Sequence, residues 1–332
     1  MRTAEPLLDN WIGATIGVDP TLADVRAYQL GRIRAVLDYA FLNAPFYRAL
    51  YETPPQPRSF EEFERLPVVG AADLVQSGGR LLCVPQDEVA RVVTSGTTAE
   101  PKRLYFTQEE LDRTVDYFTE GSRQFIRAGE KALLLFPCET ESGAARLFMR
   151  ALARLGAAAV PYGVPKDGAE ACRVLRAERP NLVLAAPQTA VRMRLSSSGT
   201  ERFDTLLLSG DGMDEAEIAA QRARFSCDVF LQYGLTETAF GLGVDCRAFS
   251  GYHLREADFY VEILDQNNRT LPHGAYGRVV VTSLHRGAMP LIRYDTGDMS
   301  RYIPAPCGCG SAFPLLDRIR PRNVPKGYHA GG

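Results

Sequence analysis

Residues 205–234 read TLLLSGDGMDEAEIAAQRARFSCDVFLQYG. TLLLSG is an apolar run closed by a glycine. DEAEIAAQRARF has an acidic first turn and apolar residues at helical spacing, and DVFLQYG is apolar again. Apolar runs of this kind belong to strands buried on both faces, and a helix between two of them is the repeating unit of a parallel sheet covered by helices. The same alternation extends backwards through KALLLFP (131–137), GAARLFMRALARLG (143–156), AAAVPY (157–162), DGAEACRVLRAER (167–179) and NLVLAA (181–186). Thr107 and Glu110 have the spacing of a capping box, which starts a helix running to about residue 126.

The flanks have a different texture. Residues 24–41 place Leu30, Ile33, Leu37 and Phe41 on one helical face, and Ala44-Pro45 ends that helix. After residue 257, FYVEIL (259–264) and RVVVTS (278–283) are strands around a turn-rich connection, DQNNRTLPHGAYG, and no good helix follows residue 226. The reading is an α/β fold with parallel sheets flanked by helices and a β-rich, barrel-like C-terminal part. Its expected divisions are a helical part (1–90), an α/β nucleotide-binding part (91–245), a β-rich part (246–322) and a tail (323–332).

With 45% hydrophobic and 23% charged residues and a net charge of −2, nothing in the composition suggests nucleic-acid binding. No run reaches the roughly 18 apolar residues of a membrane span, and MRTAEPLLDNW has no apolar signal core. The expectation is a cytoplasmic protein with no membrane partner; a homodimer is compatible with it. Of the seven cysteines, Cys83, Cys138, Cys172 and Cys227 read as small buried residues.

Ligands of parallel sheets bind at the carboxyl ends of strands, and polar loops fall there. In TSGTTAEPK (94–102), the hydroxyls of Thr94, Ser95, Thr97 and Thr98, the N–H groups around Gly96 and the charge of Lys102 suit phosphate oxygens; the alternative is an ordinary Ser/Thr turn. The loop is not G-x-x-x-x-G-K-[ST], so it is no Walker loop. In LLLSGDGM (206–213), Gly210 and Gly212 allow the backbone to approach a flat ligand. In LQYGLTETAFG (231–241), Glu237 suits Mg²⁺ and Thr236 a phosphate, unless the acid is a buried structural one. In LIRYDTGD (291–298), Asp298 follows a Thr-Gly turn and suits two ribose hydroxyls.

Taken together and in order, TSGTTAEPK, YGLTE and DTGD resemble the adenylate-forming ligases, the superfamily of acyl-CoA synthetases, nonribosomal-peptide adenylation domains and luciferases. VLDYAFLNAPFYRALY (36–51), APQTAVRM (186–193), Cys246, His253 and CGCG look like the phenylacetate–CoA ligase branch, over roughly residues 25–322. The resemblance implies that Thr94, Ser95, Gly96, Thr97, Thr98 and Lys102 bind the triphosphate of ATP. It places Ser209, Gly210 and Asp211 at the adenine, Tyr233 stacked on it, and Thr236 at the α-phosphate. It gives Mg²⁺ to Glu237 and the ribose to Asp298, with Arg318 or Arg322 beside it. By position in the family, Phe136, Pro187, Gly210, Phe240 and Gly241 line a pocket for an aryl or modest hydrophobic acid; Glu139, Glu141 and Arg146 are unexpected in that stretch. Ala99 stands where the family has a second glycine. The implied reaction is attack of a carboxylate oxygen on the α-phosphorus of ATP with loss of pyrophosphate, the growing negative charge being neutralised by Mg²⁺, the lysine and hydroxyl donors.

Cys246, His253, Cys307 and Cys309 make a further set. Three thiolates and an imidazole form a closed structural zinc site, and the glycines around Cys307 and Cys309 let both sulfurs face one point. The alternative is a reduced, metal-free cluster. His273, His285 and His329 read as loop or surface residues.

Compared with the family, Asn323 and Val324 replace the acidic hinge, and the C-terminal lid with its lysine is not seen; Lys326 reads as a solvated tail residue. The expectation is an adenylating core that passes its acyl group to an amine, a thiol or a carrier protein. The alternatives are an acyl-CoA ligase whose lid comes from a partner, and a non-catalytic ATP-binding scaffold.

Overall fold

The computed structural model describes residues 6–17, 20–93, 102–210 and 212–320. The N-terminal part is helical: α1 (Asp9–Ile16), α2 (Leu22–Asn43), α3 (Pro45–Tyr51), α4 (Phe60–Phe63) and α5 (Ala71–Ser77). Ala44 leaves the helical region ahead of Pro45, so α2 stops where the proline dictates and Pro45 opens α3.

Strands β1 (Ala90–Val93) and β2 (Arg103–Phe106) pair antiparallel with Val93 opposite Arg103. The 94–102 loop therefore joins a two-stranded ribbon. It does not extend from a strand of the large parallel sheet, as its place before a capped helix had suggested. Thr107 then accepts from the Glu110 N–H while Glu110 accepts from the Thr107 N–H, and this capping box starts α6 (Gln108–Ser122).

The central sheet follows in chain order: β3 (Lys131–Leu135), α7 (Ala144–Arg154), β4 (Ala158–Pro161), α8 (Gly168–Glu178), β5 (Leu182–Ala185), α9 (Pro187–Ser196), β6 (Thr205–Ser209), α10 (Glu215–Phe225), β7 (Asp228–Tyr233), β8 (Gly243–Asp245) and β9 (Tyr252–Leu254). Its seven strands lie in the order β4-β3-β5-β6-β7-β8-β9, parallel from β4 to β7 and antiparallel beyond. The side chains of β5 are fully buried, as the apolar runs require.

The β-rich part is a three-stranded antiparallel sheet of β10 (Phe259–Leu264), β11 (Gly277–Ser283) and β12 (Tyr294–Ser300). The TGD turn of the sequence reading is instead part of β12. Between the pairs Val280–Asp295 and Arg278–Met299, β12 spends two more residues than β11, so Thr296, Gly297 and Asp298 bulge from the ladder, with Gly297 at φ 76°. No α-helix follows Phe225 among the described residues, and none of the helices there is long and apolar enough to cross a membrane.

Arg293, fully buried, joins the two ends of the chain. It pairs with Glu262 on β10 at 2.8 Å and donates to the carbonyls of Glu64 and Leu66. Val69 forms a parallel bridge with Tyr294 beside it. Of the cysteines read as buried, Cys172 and Cys227 are, whereas Cys83 and Cys138 are half-buried.

Candidate active site

The loop after β7 and the β12 bulge meet the end of the β1–β2 ribbon. Lys102 Nζ lies 2.5 Å from Glu237 Oε1, with 15% and 5% of the two side chains exposed. Tyr294 Oη donates to the same Glu237 oxygen at 2.9 Å and lies 3.2 Å from Lys102 Nζ. These residues come from three segments, 135 and 192 positions from Lys102. Sequence reasoning quoted the segment holding Tyr294 without singling it out; its only signal was an apolar-side tyrosine four positions before Asp298.

On the same two segments that carry Glu237 and Tyr294, Tyr233 Oη donates to Asp298 Oδ2 at 2.9 Å. Burial, together with the Asp298 charge, pushes the Tyr233 pKa well above the usual range, so the phenol stays a donor. The Tyr233 ring is buried, with Tyr252 tilted against it at 5.8 Å. Thr236 is half-buried and opens the short 3₁₀ turn Thr236–Thr238 that carries Glu237.

Ser209 is half-buried and Gly210 exposed at the carboxyl end of β6. Gly210, at φ 125°, lies against Pro187 at the start of α9, so two residues expected in the acyl pocket are neighbours. Gly212 serves something other than a flat ligand. A Cβ there would sit 2.3 Å from the Ile319 carbonyl oxygen, so this glycine lets the main chain of the C-terminal segment close on the β6 loop. Phe136 is buried, packed 6.1 Å from the Phe148 ring. Phe240 is half-buried at φ 70°, and Gly241 is buried against Tyr117 and Phe118. Glu139 and Glu141 are exposed, and Glu141 pairs with Arg146 at 3.3 Å, which makes this stretch a solvated loop.

Arg318 donates to Glu215 and lies 3.7 Å from Asp245 Oδ2, so its partners here are carboxylates of the central sheet region. Burial raises the Asp245 carboxyl to about 7, against the lowering charge of Arg318. Thr94, Ser95, Gly96, Thr97, Thr98, Ala99, Asp211 and Arg322 lie outside the described residues.

Glu237 also faces a polar cleft of about 420 Å³ that the sequence did not announce. Asp258 is its hub, held by Arg255 at 2.6 Å and by His285 at 2.5 Å, with Arg113 at 3.4 Å. Burial alone would raise the Asp258 pKa; Arg255 and His285 reverse that and hold it down to about 2. His285 is thus a loop residue, as read, but a paired one.

Cys246, His253, Cys307 and Cys309 converge as the spacing argument expected. All four are buried and their ligand atoms lie within 4.8 Å of one another. Cys246 Sγ is 3.5 Å from Cys307 Sγ, and Cys309 Sγ 3.6 Å from His253 Nε2. Tetrahedral zinc with Zn–S bonds of about 2.3 Å puts ligand atoms roughly 3.8 Å apart, so the donor set fits zinc in number, chemistry and spacing. Burial would lower the His253 pKa, but hydrogen bonds to the three thiols raise it to about 11, the behaviour of a site that attracts a cation.

The AMP-binding enzyme family model matches residues 29–287. The phenylacetate-coenzyme A ligase of Aromatoleum evansii is 28% identical over 85% of this chain and 67% of its own length. That of Thermus thermophilus is 28% identical over 89% of this chain and 70% of its own. Among solved structures, 2-hydroxyisobutyryl-CoA ligase in complex with 2-HIB-AMP and CoA superposes with a TM-score of 0.81 at 24% identity, covering 90% of this chain and 68% of that one. At that identity the likeness is one of fold.

Proposed function

This chain belongs to the AMP-binding enzyme family and is an AMP-forming ligase, and on that footing we propose that it activates a small carboxylic acid, aryl or modestly hydrophobic, as the acyl-adenylate with release of pyrophosphate. The observation that supports this most is the meeting of Lys102, Glu237 and Tyr294, the last two on the segments that also carry the Tyr233–Asp298 pair. A cation, a carboxylate and a buried acceptor for hydroxyls are the groups that a nucleotide and its metal call for.

The residues fit the nucleotide and its metal by donor chemistry. Lys102 and Glu237 satisfy each other at 2.5 Å, and each has a natural replacement partner: a phosphate for the lysine, Mg²⁺ for the carboxylate. Magnesium would supply charge neutralisation on the phosphates. Lys102 adds a fixed positive charge, Thr236 a hydroxyl donor, and Tyr294 holds Glu237 in place. Asp298 accepts from the ribose hydroxyls, with its other partner Tyr233 fixing its orientation. At the second cluster, Cys246, His253, Cys307 and Cys309 would hold zinc as a structural ion, since four protein ligands leave no open position.

The acyl group passes to a thiol, a carrier protein or an amine, and the relatives' name makes coenzyme A the first acceptor to test. The free cysteines suit a reducing compartment, the cytoplasm. ATP–pyrophosphate exchange across a panel of aryl and aliphatic acids tests the first step: exchange with at least one acid is expected, and none with any acid overturns the proposal. Thioester formation from the active acid then separates coenzyme A from the other acceptors.

A further inference from the structure

Behind the loop that carries Glu237 lies a small cavity on the α6–α7 side of the central sheet. Its walls are mostly aromatic or aliphatic, including Phe118, Phe148 and Leu207, and it has room for about one water-sized group. Phe118 and Phe148 stack at 3.8 Å on one side of it. Three polar side chains, Tyr117, Ser122 and Gln232, also line it, and two of them are incompletely satisfied. Tyr117 is 1% exposed and Gln232 2%. The Tyr117 hydroxyl and Gln232 Oε1 are buried and have no hydrogen-bond partner among the described residues.

The orientation of the Gln232 amide follows from chemistry. Its other end lies 2.8 Å from the Phe240 carbonyl oxygen. A carbonyl only accepts, so the nitrogen occupies that end and the oxygen is the unpartnered one. Leaving a buried acceptor unpaired costs the full desolvation of that group with nothing in return. A second such group, the Tyr117 hydroxyl, in the lining of the same small cavity points to an occupant that donates to Gln232 and exchanges a hydrogen bond with Tyr117.

The cavity adjoins residues expected to line the acyl pocket. Three residues of the expected acyl pocket form its surroundings. Phe136 packs on Phe148, Phe240 holds Gln232 through its carbonyl, and a Cβ on Gly241 would come within 2.5 Å of the Tyr117 ring. We infer that this cavity receives a hydroxyl or amino substituent at the far end of the acid, with Gln232 Oε1 as its acceptor and the Tyr117 hydroxyl as its second partner. The inference rests on the proposed acid-activating reaction and names the class of acid. An unsubstituted acid leaves a water between the two groups, so discrimination is moderate, about 10-fold in kcat/KM, rather than the far larger factor of a site that water cannot fill.

The test compares matched pairs: phenylacetate with its 4-hydroxy and 4-amino forms, benzoate with 4-hydroxybenzoate, and butyrate with 4-hydroxybutyrate. Each is measured by pyrophosphate exchange with the full chain and by calorimetric titration of the acid alone. The wild type is expected to favour a substituted member by about 10-fold, Gln232→Leu to reverse that ratio, and Tyr117→Phe to shrink it about threefold. Gln232→Leu also loses the Phe240 contact and so lowers all acids together, which is why the ratio is the readout; Tyr117→Phe leaves the loop untouched. Equal use of every pair by the wild type, or an unchanged ratio in a folded Gln232→Leu protein, overturns the inference. If no acid supports exchange, the proposed reaction fails, and the titrations still decide the cavity: tighter binding of a substituted acid that Gln232→Leu abolishes supports it, and equal binding refutes it.

Discussion

Replacing Lys102 by methionine separates the structural from the chemical work of the lysine. At 2.5 Å and an effective dielectric of about 20, the gross attraction between Lys102 and Glu237 is on the order of 7 kcal/mol. Desolvation of two side chains only 15% and 5% exposed offsets most of it. The net loss on removing the lysine is about 1–3 kcal/mol, mostly the cost of leaving Glu237 with Tyr294 but no cation. The chemical loss is larger: one fixed donor to developing charge is worth about 10²–10³ in rate. Lys102→Met is therefore expected to lower the apparent Tm by a few degrees and kcat/KM for pyrophosphate exchange by about 10²–10³. Adding Glu237→Gln removes the stranded charge. The double variant should regain part of the lost stability and none of the activity, a signature that general unfolding cannot imitate. Exchange within about threefold of wild type in Lys102→Met would refute the assignment of Lys102, and strictly additive stability effects would refute the pair.

Asp298→Ala should weaken ATP binding at least about 10-fold in titrations, because it removes a charged acceptor for hydroxyls; Tyr233→Phe should have a smaller effect of the same sign. The purified protein should contain one zinc per chain by elemental analysis, and Cys309→Ser should lower both zinc content and Tm. Asp258 is buried and its pKa is depressed to about 2 from 3.8, so its stabilising contribution is present above pH 3.8 and is lost as pH falls through 2. The loss is about 2 kcal/mol, and Asp258→Asn should flatten stability over that range in acid unfolding curves. Arg293→Met should cost about 3–5 kcal/mol in denaturant unfolding, because Glu262 is left buried without its partner and must take up a proton.

The central sheet was legible because its parallel strands are mostly apolar runs and helices such as α7 and α8 between them are amphipathic. What escaped the sequence had local causes. Helix α9 follows Ala-Pro and its polar and apolar residues are poorly segregated, so residues 187–196 were not assigned to a helix. Thr296, Gly297 and Asp298 have turn chemistry, but the ladder on both sides of them makes the same residues a bulge. Cysteines are scarce and chemically distinctive, so the Cys246–Cys309 cluster could be assembled on paper. Tyr294, Tyr117 and Gln232 could not. Tyrosine and glutamine are ordinary in buried strands and helices, and what distinguishes these three is which distant group each one meets or fails to meet.

Strand β12 carries Asp298 and lies at the edge of its three-stranded sheet. That edge is covered in two halves by opposite ends of the chain. Val69 bridges Tyr294 at one end, and Arg320 bridges Met299 at the other. An uncovered edge strand is a template for pairing with another chain. Proteolytic clipping near residue 69 or residue 320 would therefore do more than trim the protein. It would turn a guarded β edge into a self-association surface, and clipped molecules would be removed by aggregation before their loss of activity could be measured.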